Sequence, residues 1–174
     1  DSTKNELKQG VAYLQINEFG KGVNAEFRQT LQAIRQESEL QGIILDLRGN
    51  PGGLLQESVQ MLDFLVNADI PVIQTVGRLE EYNTRYITRE DAGYTGPLVI
   101  LIDQGSASAS EILAGALQDN DKATIIGRRT FGKGLVQSVI NLEDKSRIHL
   151  TIARYYTPSG RCIQKHFEKD DINS

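Results

Sequence analysis

Three serines alternate with alanines in "GSASASEILAG", Gly105 to Gly115, between the apolar run "PLVILID" and residues of helical character. A serine placed between a strand end and a helix N-terminus is presented at an edge, where backbone N–H groups and the helix dipole favour a developing oxyanion. Such a residue could act as a nucleophile if a neighbouring group removed its proton. The same position also suits a helix cap, because serine is a favoured N-cap residue and Glu111, three after Ser108, completes a capping-box pattern. Taken alone, the stretch leaves both readings of Ser106, Ser108 and Ser110 open.

Histidine is the usual base for a serine, and the chain has two, His149 and His166. His149 lies in an alternating, strand-like run, where a cross-strand surface residue is the expectation, and His166 lies in a polar tail. A Ser-His-Asp arrangement is therefore disfavoured. Lysine is the other route, although an ordinary lysine titrates near ~10.4 and works as a base only where a dry setting brings it toward ~7 to 8. Lys133, in "TFGKGLVQ", sits among glycines, Phe131 and Leu135, away from any run of acids. A solvated loop lysine is the competing reading.

The same segment, "GRRTFGKG", approaches the phosphate-binding pattern G-x-x-x-x-G-K-[ST]. Gly134 stands where that pattern needs a hydroxyl, and "LVQSVINL" alternates like a strand where a helix is required. Nucleotide binding is excluded on those grounds. Asp46, Asp103 and Asp119 fall near element ends without ligand-like spacing to other carboxylates or histidines, so neither metal nor cofactor is expected. Asp46 and Arg48 are read as structural charges near a sheet end.

The elements that must position these residues are set by periodicity. "VAYLQI" alternates as a strand, and from Asn24, read as an N-cap, Phe27, Leu31 and Ile34 recur at helical spacing to about Leu40. "GIILDLRGN" reads as a strand buried on both faces, ending in the turn "GNPGG". Leu55, Val59, Leu62 and Val66 mark a second helix. "IPVIQTV" is a strand, "YNTRYIT" a peripheral one, and "PLVILID", a helix to about Gln118 and "ATIIG" form a further β-α-β unit. "LVQSVINL" and "SRIHLTIARYYTP", joined by "EDKS", predict a hairpin. The fold class is α/β, a three-layer core with a mostly parallel sheet and a C-terminal antiparallel hairpin, whose sites belong at the carboxyl ends of strands.

At 174 residues the chain suits one domain, 1–174. With 39% hydrophobic and 24% charged residues it has the composition of a globular protein. A net charge of −4 without a basic block argues against a nucleic-acid partner. The single cysteine, Cys162, rules out an internal disulfide. No apolar run reaches membrane-spanning length, and the start lacks a signal-peptide pattern, which fits either a cytosolic protein or a mature fragment.

"GIILDLRGNPGGLLQESVQMLDFLV", "PLVILIDQGSASASEILAGALQDN", "GRRTFGKGLVQSVINL" and "ARYYTPSGRCIQ" resemble, in order and spacing, the carboxyl-terminal processing (tail-specific) peptidases, from about Gly10 to Gln164. The resemblance implies the Clp protease/crotonase-like fold and a Ser-Lys serine endopeptidase that cleaves polypeptides near accessible carboxyl termini through an acyl-enzyme. It implies Ser108 as nucleophile, Lys133 as base, Gln137 as the residue orienting the lysine, and an oxyanion hole from Ala109 with Gly52 or Gly53. It further implies an exported bacterial enzyme, periplasmic or on the extracytoplasmic face of a membrane. This chain would then be the protease core without the family's usual PDZ domain, and a homo-oligomer stays open. Cys162 departs from the serine more usual there. The alternative is a non-catalytic peptide- or ligand-binding module on the same fold.

Overall fold

The computed structural model describes residues 3–165. A five-stranded sheet holds, in spatial order, β1 (Thr3–Lys8), β2 (Val11–Ile16), β3 (Gly42–Asp46), β6 (Leu98–Ile102) and β7 (Thr124–Gly127). Only the β1–β2 pair is antiparallel; β2, β3, β6 and β7 run parallel. β3 lies at the centre of this sheet, where strands are covered on both faces. Its apolar run accordingly leaves four of five residues buried, with Ile44 partly so. β2 is less enclosed and alternates, with Ala12, Leu14 and Ile16 buried and Tyr13 on the opposite face. β1 lacks the alternation of β2, and its pairing with β2 is a tertiary outcome that periodicity does not announce.

The antiparallel elements do not finish that sheet but build a second one. β4 (Pro71–Gly77), β5 (Thr84–Ile87), β8 (Leu135–Asn141) and β9 (Arg147–Tyr156) pair in the order β5-β4-β9-β8. The expected hairpin is β8–β9, and β9 carries it onto β4 through Ala153 to Tyr156. The hairpin tip extends past β4, leaving Ile140, Ile148 and Leu150 exposed. Among the described residues three α-helices complete the fold: α1 (Val23–Glu37), α2 (Leu55–Leu65) and α3 (Ala109–Asp119). α2 packs on α3, and α3 touches both β7 and β4, so it lies between the two sheets. Among the described residues no helix is long and apolar enough to cross a membrane.

Helix α1 begins earlier than its composition suggests. Gly22, not Asn24, is the N-cap, with φ 89°, and Asn24 lies inside the first turn. The reason is a carboxylate from another helix. Glu57 of α2 accepts the Gly22 N–H at 2.8 Å and the Asn24 N–H at 3.0 Å, which satisfies the donors that a capping side chain would otherwise serve. Phe27 then meets Phe64 edge-on, ring centroids 6.0 Å apart, with the Arg28 guanidinium over Phe64.

Leu45, fully buried at the middle of the parallel sheet, packs in the single large apolar cluster. Leu45→Ala is expected to cost about 2 to 5 kcal/mol of unfolding free energy, read from urea denaturation of the two proteins side by side.

Candidate active site

The carboxyl ends of β3 and β6 deliver two loops to one place, the glycine turn after β3 and the serine stretch after β6. The three serines part company there. Ser106 is fully buried; its hydroxyl donates to the Leu47 carbonyl at 2.7 Å and accepts the Asp103 N–H at 3.0 Å. Ser110 is also fully buried and donates to the Asn50 carbonyl at 3.2 Å. Both hydroxyls are spent on stitching the serine stretch to the glycine turn. Ser108 alone of the three is partly exposed, at the N-cap position of α3. Its backbone has φ 54° and ψ −114°, a conformation that costs a non-glycine residue on the order of 1 to 3 kcal/mol and persists only where the surroundings enforce it.

The glycine turn fits against Ser108 closely. A Cβ on Gly52, whose φ is +98°, would lie 2.6 Å from the Ala107 carbonyl oxygen and 2.8 Å from Ser108 Cβ, so no side chain is tolerated there. Gly53 packs against Phe19 instead: the Phe19 N–H donates to the Gly52 carbonyl at 2.7 Å and Leu54 N–H to the Phe19 carbonyl at 2.8 Å. That bridging pattern turns the N–H of Gly53 away from Phe19. The two glycines also differ in what holds their N–H groups. Gly52 donates to Asn50 Oδ1 at 2.8 Å, whereas among the described residues nothing accepts the N–H of Gly53 or of Ala109, the first residue of α3.

Lys133 arrives on the loop between β7 and β8. The Phe131 N–H donates to the Ser106 carbonyl at 3.0 Å, and the N–H groups of Gly132 and Lys133 donate to Glu111. Glu111 Oε2 takes both the Ser108 N–H at 2.9 Å and the Lys133 N–H at 2.8 Å. The two main-chain nitrogens, 25 positions apart in sequence, are therefore within about 6 Å of each other. On its other side the loop is closed by the strip beyond β9. Lys165 N–H donates to the Gly132 carbonyl and Gly134 N–H to Gln164 Oε1, each at 3.0 Å, and a Cβ on Gly134 would strike the Gln164 nitrogen at 2.3 Å.

The lysine side chain itself is exposed and, among the described residues, makes no hydrogen bond or ion pair. This departs from the dry setting that the surrounding apolar residues suggest. Gln137 is exposed on β8. Strand alternation does not relate it to Lys133, because β8 starts only at Leu135 and Lys133 lies in the loop before it. The chain beyond Lys133 nonetheless enters a strand, not the helix of a phosphate-binding loop. His149 is exposed on the hairpin, opposite Val139, and His166 lies outside the described residues.

Three polar residues hold these loops. Buried Asn50 donates from Nδ2 to the Ile16 carbonyl at 2.8 Å, accepts Gly52 N–H, and offers its own carbonyl to Ala107 N–H at 2.9 Å. Asp103 Oδ1 accepts the N–H groups of Gly49 at 2.8 Å and Gly105 at 2.9 Å. The Gly49 N–H holds its pKa below the ordinary 3.8; partial burial works against this, and Gly105 and Ser106 work with it. Glu111 is the third. Below them Asp46 accepts the Tyr13 hydroxyl at 2.5 Å and pairs with Arg48 at 2.6 Å. Burial pushes the Asp46 pKa up, but bonds from Arg48 and Tyr13 outweigh it and leave the group below its ordinary value. Asp119 ties the end of α3 to the turn after β9 through Ser159 N–H at 2.9 Å and an ion pair with Arg161.

Comparison with known proteins gives the family. The family model described as Peptidase family S41 matches residues 10–174. The chain belongs to that family. It is 41% identical over 157 residues to the carboxyl-terminal-processing protease of Synechocystis sp. (strain ATCC 27184 / PCC 6803 / Kazusa), covering 90% of this chain and 36% of that protein. With the carboxy-terminal-processing protease of Bartonella bacilliformis it shares 39% identity over 167 residues, 94% of this chain and 38% of the relative. The solved structure of a photosystem II D1 C-terminal processing protease superposes with a TM-score of 0.84 at 30% identity, covering 94% of this chain and 46% of that one. The chain thus spans less than two fifths of the length of these two curated relatives.

The depressed Asp103 pKa sets the sign of a pH effect. Its stabilising contribution is complete above the unfolded-state value near 3.8 and is lost as pH falls through the lower folded-state value. Asp103→Asn is therefore expected to lower the urea midpoint at about pH 7, with the gap to the parent protein closing as the pH drops below about 4.

Proposed function

We propose that this chain is the catalytic core of a serine-type peptidase that cleaves polypeptides near their carboxyl termini, with Ser108 as nucleophile and Lys133 as general base. The observation that carries the reading is the approach of the Ser108 and Lys133 main chains to one carboxylate oxygen, beside the N–H groups of Gly53 and Ala109, which nothing among the described residues accepts.

In this reading the neutral Lys133 amine takes the proton of Ser108 Oγ as the oxygen attacks the scissile carbonyl. The developing oxyanion accepts N–H bonds from Ala109 and Gly53, the glycine favoured over Gly52 because the Gly52 N–H is already given to Asn50. As the tetrahedral intermediate collapses, the C–N bond breaks and the Lys133 ammonium returns its proton to the leaving amine. Water then attacks the acyl-enzyme, again giving a proton to Lys133; Ser108 leaves as its alkoxide and recovers that proton, which frees the new carboxyl end. Gln137 orients the lysine. Because the Lys133 side chain is exposed, this reading has the bound polypeptide itself cover it and displace water from the amine. An exported, extracytoplasmic location belongs to the same reading and rests on the family alone.

The exposure of Lys133 favours a second reading, a polypeptide-binding module without turnover. Single substitutions separate the two. Ser108→Ala and Lys133→Ala are each expected to reduce cleavage of an unstructured polypeptide at least about 1000-fold, with circular dichroism and unfolding midpoint preserved. Undiminished turnover by Lys133→Ala would refute the dyad, and binding without cleavage by the parent chain would favour the module.

A further inference from the structure

We infer that Glu111 is a positioning residue that sets the separation of the nucleophile from its base, an inference that rests on the Ser108–Lys133 reading above. Glu111 is 5% exposed, three residues into α3 from Ser108. A helix cap accounts for its bond to the Ser108 N–H and for a negative charge in the first helical turn. It does not account for the bonds from Gly132 at 2.7 Å and Lys133 at 2.8 Å, which come from a loop 21 and 22 residues further along the chain. The carboxylate grips that loop as firmly as it grips its own helix.

The chemistry of the tie requires this side chain. Three N–H groups converge on two oxygens, Gly132 on Oε1, Ser108 and Lys133 together on Oε2. An ionised carboxylate offers about four acceptor sites and no donor, so all three bonds form without conflict. A glutamine would turn an NH2 group toward at least one of the N–H donors. An aspartate keeps the charge and remains a good residue for a helix start, but is one methylene too short to hold the Ser108 and Lys133 nitrogens at once. Reacting groups misplaced by about 1 Å lose rate on the order of 100-fold, so the tie acts on the chemical step and not on polypeptide affinity.

Glu111→Gln and Glu111→Asp, made in the whole chain, test this with two readouts. For turnover of an unstructured polypeptide, both variants are expected to lose about 10- to 100-fold in kcat with KM within about twofold of the parent. For amide hydrogen exchange followed by NMR, the Gly132 and Lys133 amides are expected to lose protection in both variants, while core amides such as those of β3 keep theirs. A helix-capping role alone would be rescued by Glu111→Asp. Parent-like kcat in that variant, or unchanged protection of Gly132 and Lys133 in Glu111→Gln, overturns the inference. If Lys133→Ala still turns over, the dyad reading fails, whatever the Glu111 variants do. If Lys133→Ala is inactive and Glu111→Asp is fully active, the positioning role alone fails.

Discussion

Backbone N–H groups that leave a sheet still need acceptors, and at the carboxyl ends of β3 and β6 this need shapes everything nearby. The glycine turn, the serine stretch and the lysine loop have few apolar side chains with which to pack. Asn50, Asp103 and Glu111 reach between them and accept N–H groups that would otherwise lose water without replacement, at a cost on the order of 1 to 3 kcal/mol each. The buried hydroxyls of Ser106 and Ser110 do the same work from the donor side. With these partners satisfied, the loops are tied to the strands that deliver them, and a strained backbone at Ser108 can persist.

Close approach is the second constraint. Gly52 meets the Ser108 segment, Gly132 and Gly134 meet the strip after β9, and at each point an added Cβ would lie under 3.0 Å from backbone or side-chain atoms. The apolar cluster below anchors this polar layer. Leu14, Ile43, Leu45 and Ile100 hold the parallel strands, and Ile112, Leu113 and Leu117 bind α3 to the core, so the helix that Ser108 caps cannot shift without disturbing that packing. Rigid packing beneath and hydrogen bonding above act on the same few residues.

Much of this was legible in the sequence wherever a residue's environment is local. The continuous apolar runs of β3 and β6 and the helical spacing of Leu55, Val59 and Leu62 reflect the face a segment buries, and each matches its element; the alternation of β8 and β9 also marks strands, although their tip stays exposed. The start of α1 was not legible, because Glu57, which serves its N–H groups, lies more than thirty residues away. The second sheet escaped for the same reason, since periodicity defines strands without naming their neighbours. At the site, "SASAS" does not rank its serines; burial does, and burial of Ser106 and Ser110 depends on carbonyls 59 and 60 residues distant. Asn50 carries no local mark beyond its place in a turn, and Glu111 shows only its capping half. The apolar neighbours of Lys133 suggested a dry lysine, but its loop presents the side chain outward.

The bonds from Glu111 to Gly132 and Lys133 also close a circuit in the chain. Helix α3, β7 and the loop after it form an excursion whose two ends meet at one side chain. Because the entropy of closing such a loop grows only slowly with its length, residues could be inserted or lost along the excursion while its ends stayed pinned. The distance between Ser108 and Lys133 is thus insulated from the length of chain that separates them.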